Sequence, residues 1–447
     1  ALWSIKVVTE EGETVFEHQA GQAIQPASNM KLLTSAASIR YLGQHFRYQT
    51  PLYGIGRQEG EVWKGDLVFV GQGDPTISGT LYDEDRWHVF EQYLDALKNR
   101  GITKIDGRIW GDVSYFDDEP YPDGWSWDDL SFYYAVEIGP LSFNNNCVDL
   151  TVKPGREIGQ APAINWFPYR TDYVTFVNEQ EIRPADTEYD EYYRRLLGTN
   201  TILLRSKLPQ NYEEKESLSI HNPGRFFLDS FKKYLRQNGI KVTGSIDVFE
   251  PYELDTLNYQ KPYVEELHRH ISPKMDSLVK QVLKESDNFY TEMLLKTIAA
   301  EINGKPGSSD EGIELVRQFA AGAGMDTTLV VMNDGSGMAA GNFLSTGNLA
   351  QLLVYQQSQP EFESYRKSLP VAGKDGSLSW RFKKSPVKGN FRGKTGYISG
   401  MRSLSGYLET SGGKTLIVSL VTNNYTVETS QIDRMHETII ERLYQQF

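Results

Sequence analysis

Gly393-Lys-Thr-Gly-Tyr-Ile398, Ser403-Leu-Ser-Gly-Tyr-Leu408 and Thr415-Leu-Ile-Val-Ser-Leu-Val421 follow one another near the end of a 447-residue chain. Each run is strand-sized, and Thr410-Ser-Gly-Gly-Lys414 supplies a turn between the last two. A helical pattern then runs from about Glu428 to Tyr444. At the other end, Trp3-Ser-Ile-Lys-Val-Val-Thr9 alternates, Glu10-Glu-Gly-Glu13 turns, and Thr14-Val-Phe-Glu-His18 returns as the second arm of a hairpin. Two strand-rich ends and a terminal helix predict one antiparallel sheet drawn from both ends of the chain and flanked by helices, an α/β (α+β) arrangement.

Moving inward, Pro26 opens a helix that runs to about Leu42, with Met30, Leu33, Ala37 and Tyr41 on one stripe and Gly43 ending it. Helical periodicity returns from about Ser272 to Ile302, broken at Glu285-Ser-Asp-Asn288. The middle differs. From about Glu59 to Tyr263, short strand candidates are separated by Gly, Pro and Asp clusters such as Gly71-Gln-Gly-Asp-Pro75 and Asp117-Asp-Glu-Pro-Tyr-Pro-Asp-Gly124. Within it, Arg170 to Lys215 is charged and Tyr-rich. One α/β domain split by a long insertion accounts for this pattern.

Composition narrows the function classes. The chain carries 46 basic and 59 acidic side chains, a formal net charge of −13, so it offers no broad electrostatic footprint for nucleic acid or anionic lipid. Its longest apolar runs are strand-sized, far short of the roughly 20 residues of a membrane helix. Cys147 is the only cysteine, which excludes intrachain disulfides, thiolate zinc sites and iron–sulfur clusters; it reads as a small core residue. The first residues, Ala1-Leu-Trp3, have no signal-peptide character, so the chain is expected either to be cytosolic or to have lost a leader already.

Three short motifs occur in one order: Ser28-Asn-Met-Lys31, Ser286-Asp-Asn288 and Lys394-Thr-Gly396. Ser-x-x-Lys alone says little, because it recurs at Ser230/Lys233, Ser277/Lys280, Ser364/Lys367 and Ser385/Lys388, and Ser-x-Asn recurs at Ser142/Asn144. Lys-Thr-Gly occurs once. Chemistry separates the copies. A serine hydroxyl needs a base to take its proton and a field that favours the alkoxide. Ser28, at a helix start, has both within reach: backbone N–H groups and the helix dipole favour negative charge there, and Lys31 projects from the same face one turn on. Desolvation and neighbouring cations are expected to lower the lysine's proton affinity enough for it to act as base. Ser230 lies two turns inside a helix starting near Pro223, Ser277 lies inside a helical run, and Ser364 and Ser385 follow the Ser-Asp-Asn element. Taken singly, Ser286-Asp-Asn288 would read as a capping cluster and Lys394 as an exposed strand lysine; the order of the three changes that.

The trio resembles that of the penicillin-recognising serine enzymes. The surrounding wording is closer still to the low-molecular-mass class C penicillin-binding proteins, D-alanyl-D-alanine carboxypeptidases and endopeptidases of the S13 peptidase type. It lies in Pro26-Ala-Ser-Asn-Met-Lys-Leu-Leu-Thr34, Gly73-Asp-Pro-Thr76, Trp125-Ser-Trp-Asp-Asp-Leu130, Asn333-Asp-Gly-Ser-Gly337 and Gly393-Lys-Thr-Gly396, and it spans essentially the whole chain. The resemblance implies a penicillin-binding-protein transpeptidase-like domain from residues 1–58 and 263–447, with an insertion forming two smaller, mostly-β domains, 59–149 with 219–262 and 150–218.

By the same resemblance, Ser28 attacks the carbonyl of a D-Ala-D-Ala peptide and Lys31 takes its proton. Ser286 relays a proton towards the leaving amine, and Asn288 bonds the substrate amide. Lys394 and Thr395 hold the terminal carboxylate, a charge-assisted contact. The backbone N–H groups of Ser28 and Tyr397, beside Gly396, form the oxyanion hole. Asp128 or its neighbour Asp129 pairs with the amino group of a peptidoglycan side chain. No metal and no cofactor are implied. The expected partners are peptidoglycan stem peptides and β-lactams, and the expected location is extracytoplasmic. Two positions depart from the pattern: Tyr397 stands where Thr is common, and Met338-Ala-Ala-Gly341 lacks an arginine often found after Asp334-Gly-Ser-Gly337. The alternatives are a serine β-lactamase and a catalytically idle wall-binding protein of the same fold.

Overall fold

The computed structural model describes residues 1–168, 170–249 and 264–447, and they divide into two compact units. The first comprises Ala1–Arg47, Pro122–Trp125 and Pro273–Phe447. The strands of its main sheet are β1 (Leu2–Thr9), β2 (Thr14–His18), β3 (Phe391–Ile398), β4 (Met401–Glu409) and β5 (Thr415–Asn423). They form one antiparallel sheet in the order β2-β1-β5-β4-β3, so both ends of the chain share it, as expected. Register sets the side of each residue: Lys394 stands opposite Ser405, Gly396 opposite Ser403 and Tyr397 opposite Arg402. Because β5 lies at the centre, Leu416, Val418 and Leu420 are buried, and they pack with Val7, Leu404 and Ile440.

Helices of this unit are α1 (Met30–Leu42), α2 (Met275–Lys284), α3 (Asn288–Ile302), α4 (Ser309–Gly322), α5 (Thr346–Gln357), α6 (Phe362–Ser368) and α7 (Thr429–Gln446). Every residue of α1 from Met30 to Ile39 is buried, as is every residue of α3 from Phe289 to Ala300. Helices buried on every side belong in an interior, and these two pack against each other. The α-helix does not begin at Pro26: Ala27–Asn29 form a single 3-10 turn, and Ala27 takes φ +48°. Ser28 therefore stands on the tight turn that leads into the buried helix.

The second unit comprises Tyr48–Tyr121 and Ser126–Ser272. Residues Gln49–Glu59 open it as a strand paired with Val62–Val70 and Val264–Ile271 in a seven-stranded sheet. Helices His88–Asn99 and Pro223–Gln237 pack with this sheet's strands. Strands between Cys147 and Ser219 form three small sheets of their own. Cys147 is buried, and Ser230 is buried two turns inside its helix, as the sequence predicted. The expected boundary at 262/263 lies outside the described residues. Among the described residues, no helix is long and apolar enough to cross a membrane.

Candidate active site

The three motifs meet in the first unit. Lys31, one turn after Ser28 and fully buried, projects its amine between three oxygens: Ser28 Oγ at 3.0 Å, Asn288 Oδ1 at 2.6 Å and the Ser336 carbonyl at 2.7 Å. Burial pushes the Lys31 amine down to about 8, against the fields of Asp334, Glu292 and Asp287, which favour its charge. The sequence reading also invoked neighbouring cations at this lysine. The charges that act most on Lys31 are carboxylates, and desolvation alone drives the shift. Cation crowding is instead felt at Lys394, whose fully buried amine is lowered first by burial and then by Lys31 and Arg402.

Ser286-Asp-Asn288 divides its labour. Asp287 is the cap of α3, accepting the Tyr290 N–H at 3.0 Å. That satisfies the helix start and leaves its neighbours for the cleft. Asn288 meets Lys31, while Ser286, held at φ +63°, presents its hydroxyl 2.8 Å from Lys394 Nζ. The capping interpretation was thus right for the aspartate and wrong for the two residues flanking it.

Lys394 sits on β3, where its amine also donates to the Thr395 carbonyl at 2.8 Å. The Thr395 hydroxyl donates to Ser377 Oγ at 2.7 Å, a partner with no signal in the sequence. Lys394 is fully buried, so the exposed-strand reading fails. Gly396 lets β3 approach the nucleophile's backbone. A Cβ there would run into the Ser403 hydroxyl, lie 2.9 Å from the Pro26 carbonyl and come within 3.0 Å of Ser28 N. Ser403 Oγ locks that approach by donating to the Pro26 carbonyl at 2.7 Å and accepting from Asn29 Nδ2. Tyr397 turns its ring outward, 56% exposed, under the Arg402 guanidinium.

A fourth segment, Asp334-Gly-Ser-Gly337, closes the back of the site. Asp334 accepts from Gly337 N at 2.6 Å, Ala339 N at 2.6 Å, Asn342 Nδ2 at 2.8 Å and Trp125 Nε1 at 2.9 Å. Gly337, at φ +82°, leaves no room for a Cβ against the Ala27 carbonyl. Met338 contributes its sulfur as an acceptor for Asn288 Nδ2 at 3.5 Å. Ser28, Lys31, Ser286, Asn288, Lys394, Thr395, Gly396 and Tyr397 are therefore gathered on adjoining elements of one unit. Asp128 belongs to the second unit, where its exposed carboxylate accepts from the Ser126 hydroxyl and is held below the usual carboxylate range by that bond.

The chain is 30% identical over 440 residues to a D-alanyl-D-alanine carboxypeptidase of Actinomadura sp. (strain R39), covering 94% of this chain and 77% of that one. Its fold matches the crystal structure of penicillin binding protein 4 (dacB) from Haemophilus influenzae with a TM-score of 0.86, at 21% identity, over 99% of this chain and 96% of the other. The same protein complexed with a β-lactam matches at a TM-score of 0.80, at 20% identity and the same coverage. Matched from residue 2 to residue 445 by the model of the D-Ala-D-Ala carboxypeptidase 3 (S13) family, the chain belongs to that family.

Proposed function

We infer that the chain is a serine DD-peptidase that cleaves the D-Ala-D-Ala bond ending peptidoglycan peptides, through an acyl-enzyme at Ser28. The observation that carries this reading is the acceptor set of Lys31. A neutral lysine amine has two N–H bonds and one lone pair. The Asn288 and Ser336 carbonyl oxygens can only accept, so they take the two N–H bonds, and the lone pair is left for the Ser28 hydroxyl 3.0 Å away. That is the arrangement of a general base on its nucleophile.

In this reading the substrate's terminal carboxylate binds Lys394 and Thr395. Ser28 Oγ adds to the penultimate carbonyl as its proton passes to Lys31. The oxyanion is held by the N–H groups of Ser28 and Tyr397, which the glycine at 396 lets come together. The C–N bond breaks as the departing amine of D-Ala takes a proton through Ser286, and Asn288 holds the amide on the acyl side. Water then releases the acyl group. β-Lactams acylate the same serine, and cross-links carrying D-Ala ahead of the broken bond are a second substrate. Asp128, charged and exposed, recognises an amine on the peptide side chain. Such substrates lie outside the cytoplasm, and the enzyme works there. We keep the insertion as two parts, 59–149 with 219–262 and 150–218; the separate pairing of the strands between Cys147 and Ser219 supports this division.

Intact-mass spectrometry after brief exposure to benzylpenicillin tests the reading. The expected result is a persistent adduct of one penicillin on the wild type and none on Ser28→Ala. Penicillin consumed without a lasting adduct would transfer the case to a β-lactamase. Neither adduct nor consumption would refute the acyl-serine mechanism.

A further inference from the structure

Glu292 belongs to none of the three motifs, yet it is fully buried one turn after Asn288 on α3. A buried carboxylate is costly unless its oxygens find donors. Here both do: Oε2 accepts the Gly335 N–H at 3.1 Å and Oε1 the Ser336 N–H at 2.8 Å. The Gly335 carbonyl accepts from the Thr34 hydroxyl of α1 at 2.7 Å, and the Gly337 N–H is held by Asp334. The next group along, the Ser336 carbonyl, receives Lys31 Nζ. The Ser336 side chain is buried with them. A Cβ at Gly335 would fit only tightly, 3.2–3.4 Å from Thr34, Leu295 and the Glu292 carboxylate itself.

We propose that Glu292 is a positioning residue for Lys31: it grips two successive backbone N–H groups so that the Ser336 carbonyl stays aimed at the lysine amine. Resting on the acyl-serine reading above, this assigns α3 two of the lysine's three contacts, one direct through Asn288 and one through Glu292. Residues 288 and 292 share a helix face, so a single rigid element sets both carbonyl acceptors. Two parallel N–H groups demand two acceptor oxygens. Glutamine offers one oxygen and sets an NH2 group against the other N–H; aspartate is a methylene too short.

The test is rapid-quench acylation of the full chain by benzylpenicillin, resolved into the noncovalent Kd, the acylation rate constant and the fraction acylated. For Glu292→Gln the rate constant is expected to fall by about tenfold or more, since a misplacement near 1 Å costs on the order of 10²-fold, with Kd and the acylated fraction retained. A residue that only supports folding would lower the acylated fraction and the melting temperature while the surviving molecules react at the wild-type rate; that result overturns the proposal. Thr34→Val, which removes the other tether of the same peptide, is expected to lower the rate constant several-fold. If Glu292→Gln fails to fold, Thr34→Val decides, and a wild-type rate constant there refutes the tethering. A wild type that is not acylated at all defeats the acyl-serine reading itself, a failure distinct from wild-type acylation with unaffected variants.

Discussion

Replacing Gly396 with alanine puts one methyl group where β3 passes the nucleophile. The new Cβ would strike the Ser403 hydroxyl and press on the Pro26 carbonyl at 2.9 Å and on Ser28 N at 3.0 Å, against ordinary contacts of about 3.5 Å or more. Ser403 cannot swing away freely, because it donates to Pro26 and accepts from Asn29. β3 must therefore retreat by several tenths of an ångström to about 1 Å. Overpacking of this kind costs about 1–3 kcal/mol of stability. Its larger effect is on the oxyanion donors, which work only within about 2.7–3.1 Å of the developing charge. Gly396→Ala is expected to lower the benzylpenicillin acylation rate constant by about 10²-fold, as losing one oxyanion donor does. Adding Ser403→Ala removes the hardest of the three contacts and leaves the two backbone ones, so the double variant should recover part of the loss. The two substitutions would then be coupled in a double-mutant cycle. Quenched-flow acylation of the four proteins measures it. A Gly396→Ala protein that acylates within twofold of wild type would refute the claim that close approach of β3 to Ser28 builds the site.

Lys31 must lose its proton to act as base, and without ligand its affinity is lowered to about 8, so the wild-type acylation rate constant divided by Kd, which reports the free enzyme, should rise with pH and reach half its plateau near pH 8. A ratio flat from pH 7 to 9 would argue against Lys31 as the base. Benzylpenicillin methyl ester, which lacks the carboxylate, should bind more weakly and also acylate with a smaller rate constant; Lys394→Gln should abolish the distinction between acid and ester. An equal preference for the acid in that variant would place the carboxylate elsewhere. In the second unit, burial raises buried Asp74 to about 6 and lowers His270, 3.5 Å away, to about 4. A raised carboxyl gives stability that is present below its unfolded value of 3.8 and is lost as pH rises through about 6. A lowered histidine gives stability that is present above 6.5 and lost as pH falls through about 4. The two slopes oppose, so Asp74→Asn should make urea stability fall on acidification from pH 6.5 to 4, and His270→Gln should make it fall on raising pH over the same range. Parallel slopes in both variants would show that the pair is not linked in this way.

How much of this was legible in the sequence depends on whether the signal was local. The hairpin, the three final strands, the terminal helix and the break before Asn288 all appear as read, because alternation, turn residues and helical period are properties of contiguous residues. The helix His88–Asn99 went unread, although Val89, Phe90, Tyr93, Leu94 and Leu97 mark one buried face. Gly, Pro and Asp clusters on both sides obscured it. Within the site, the motif residues were found because their chemistry is unusual. Ser377, Trp125 and Glu292 were not given roles, since a hydroxyl, an indole and a helix glutamate become special only through partners far along the chain. Glu292 did leave one trace: its four-residue spacing from Asn288 puts it on the same face of the helix. The mistake about cations at Lys31 has the same origin. The sequence showed a second lysine, but not that three carboxylates lie around the first.

The two buried lysines explain why a free carboxylate should matter to the chemistry as well as to affinity. Lys31 and Lys394 are both fully buried, and the charge of Lys31 lowers the proton affinity of Lys394. Like charges in a desolvated space disfavour each other, so the empty site carries two cations only at a cost. Their acceptors differ. Lys31 faces two carbonyl oxygens and a hydroxyl, a set that suits a neutral amine with its lone pair on Ser28. Lys394 faces the Ser286 hydroxyl and the Thr395 carbonyl, and an incoming carboxylate adds the opposite charge that favours its ammonium form. Once Lys394 is held charged by that carboxylate, its field works against a proton on Lys31. On the proposed reading, binding of the peptide's own terminus shifts the base towards its reactive form to the extent that the nearer Lys394 ammonium outweighs the carboxylate's own field. This coupling is what an ester lacks, and it is why the ester's defect is expected in the acylation step and not in binding alone.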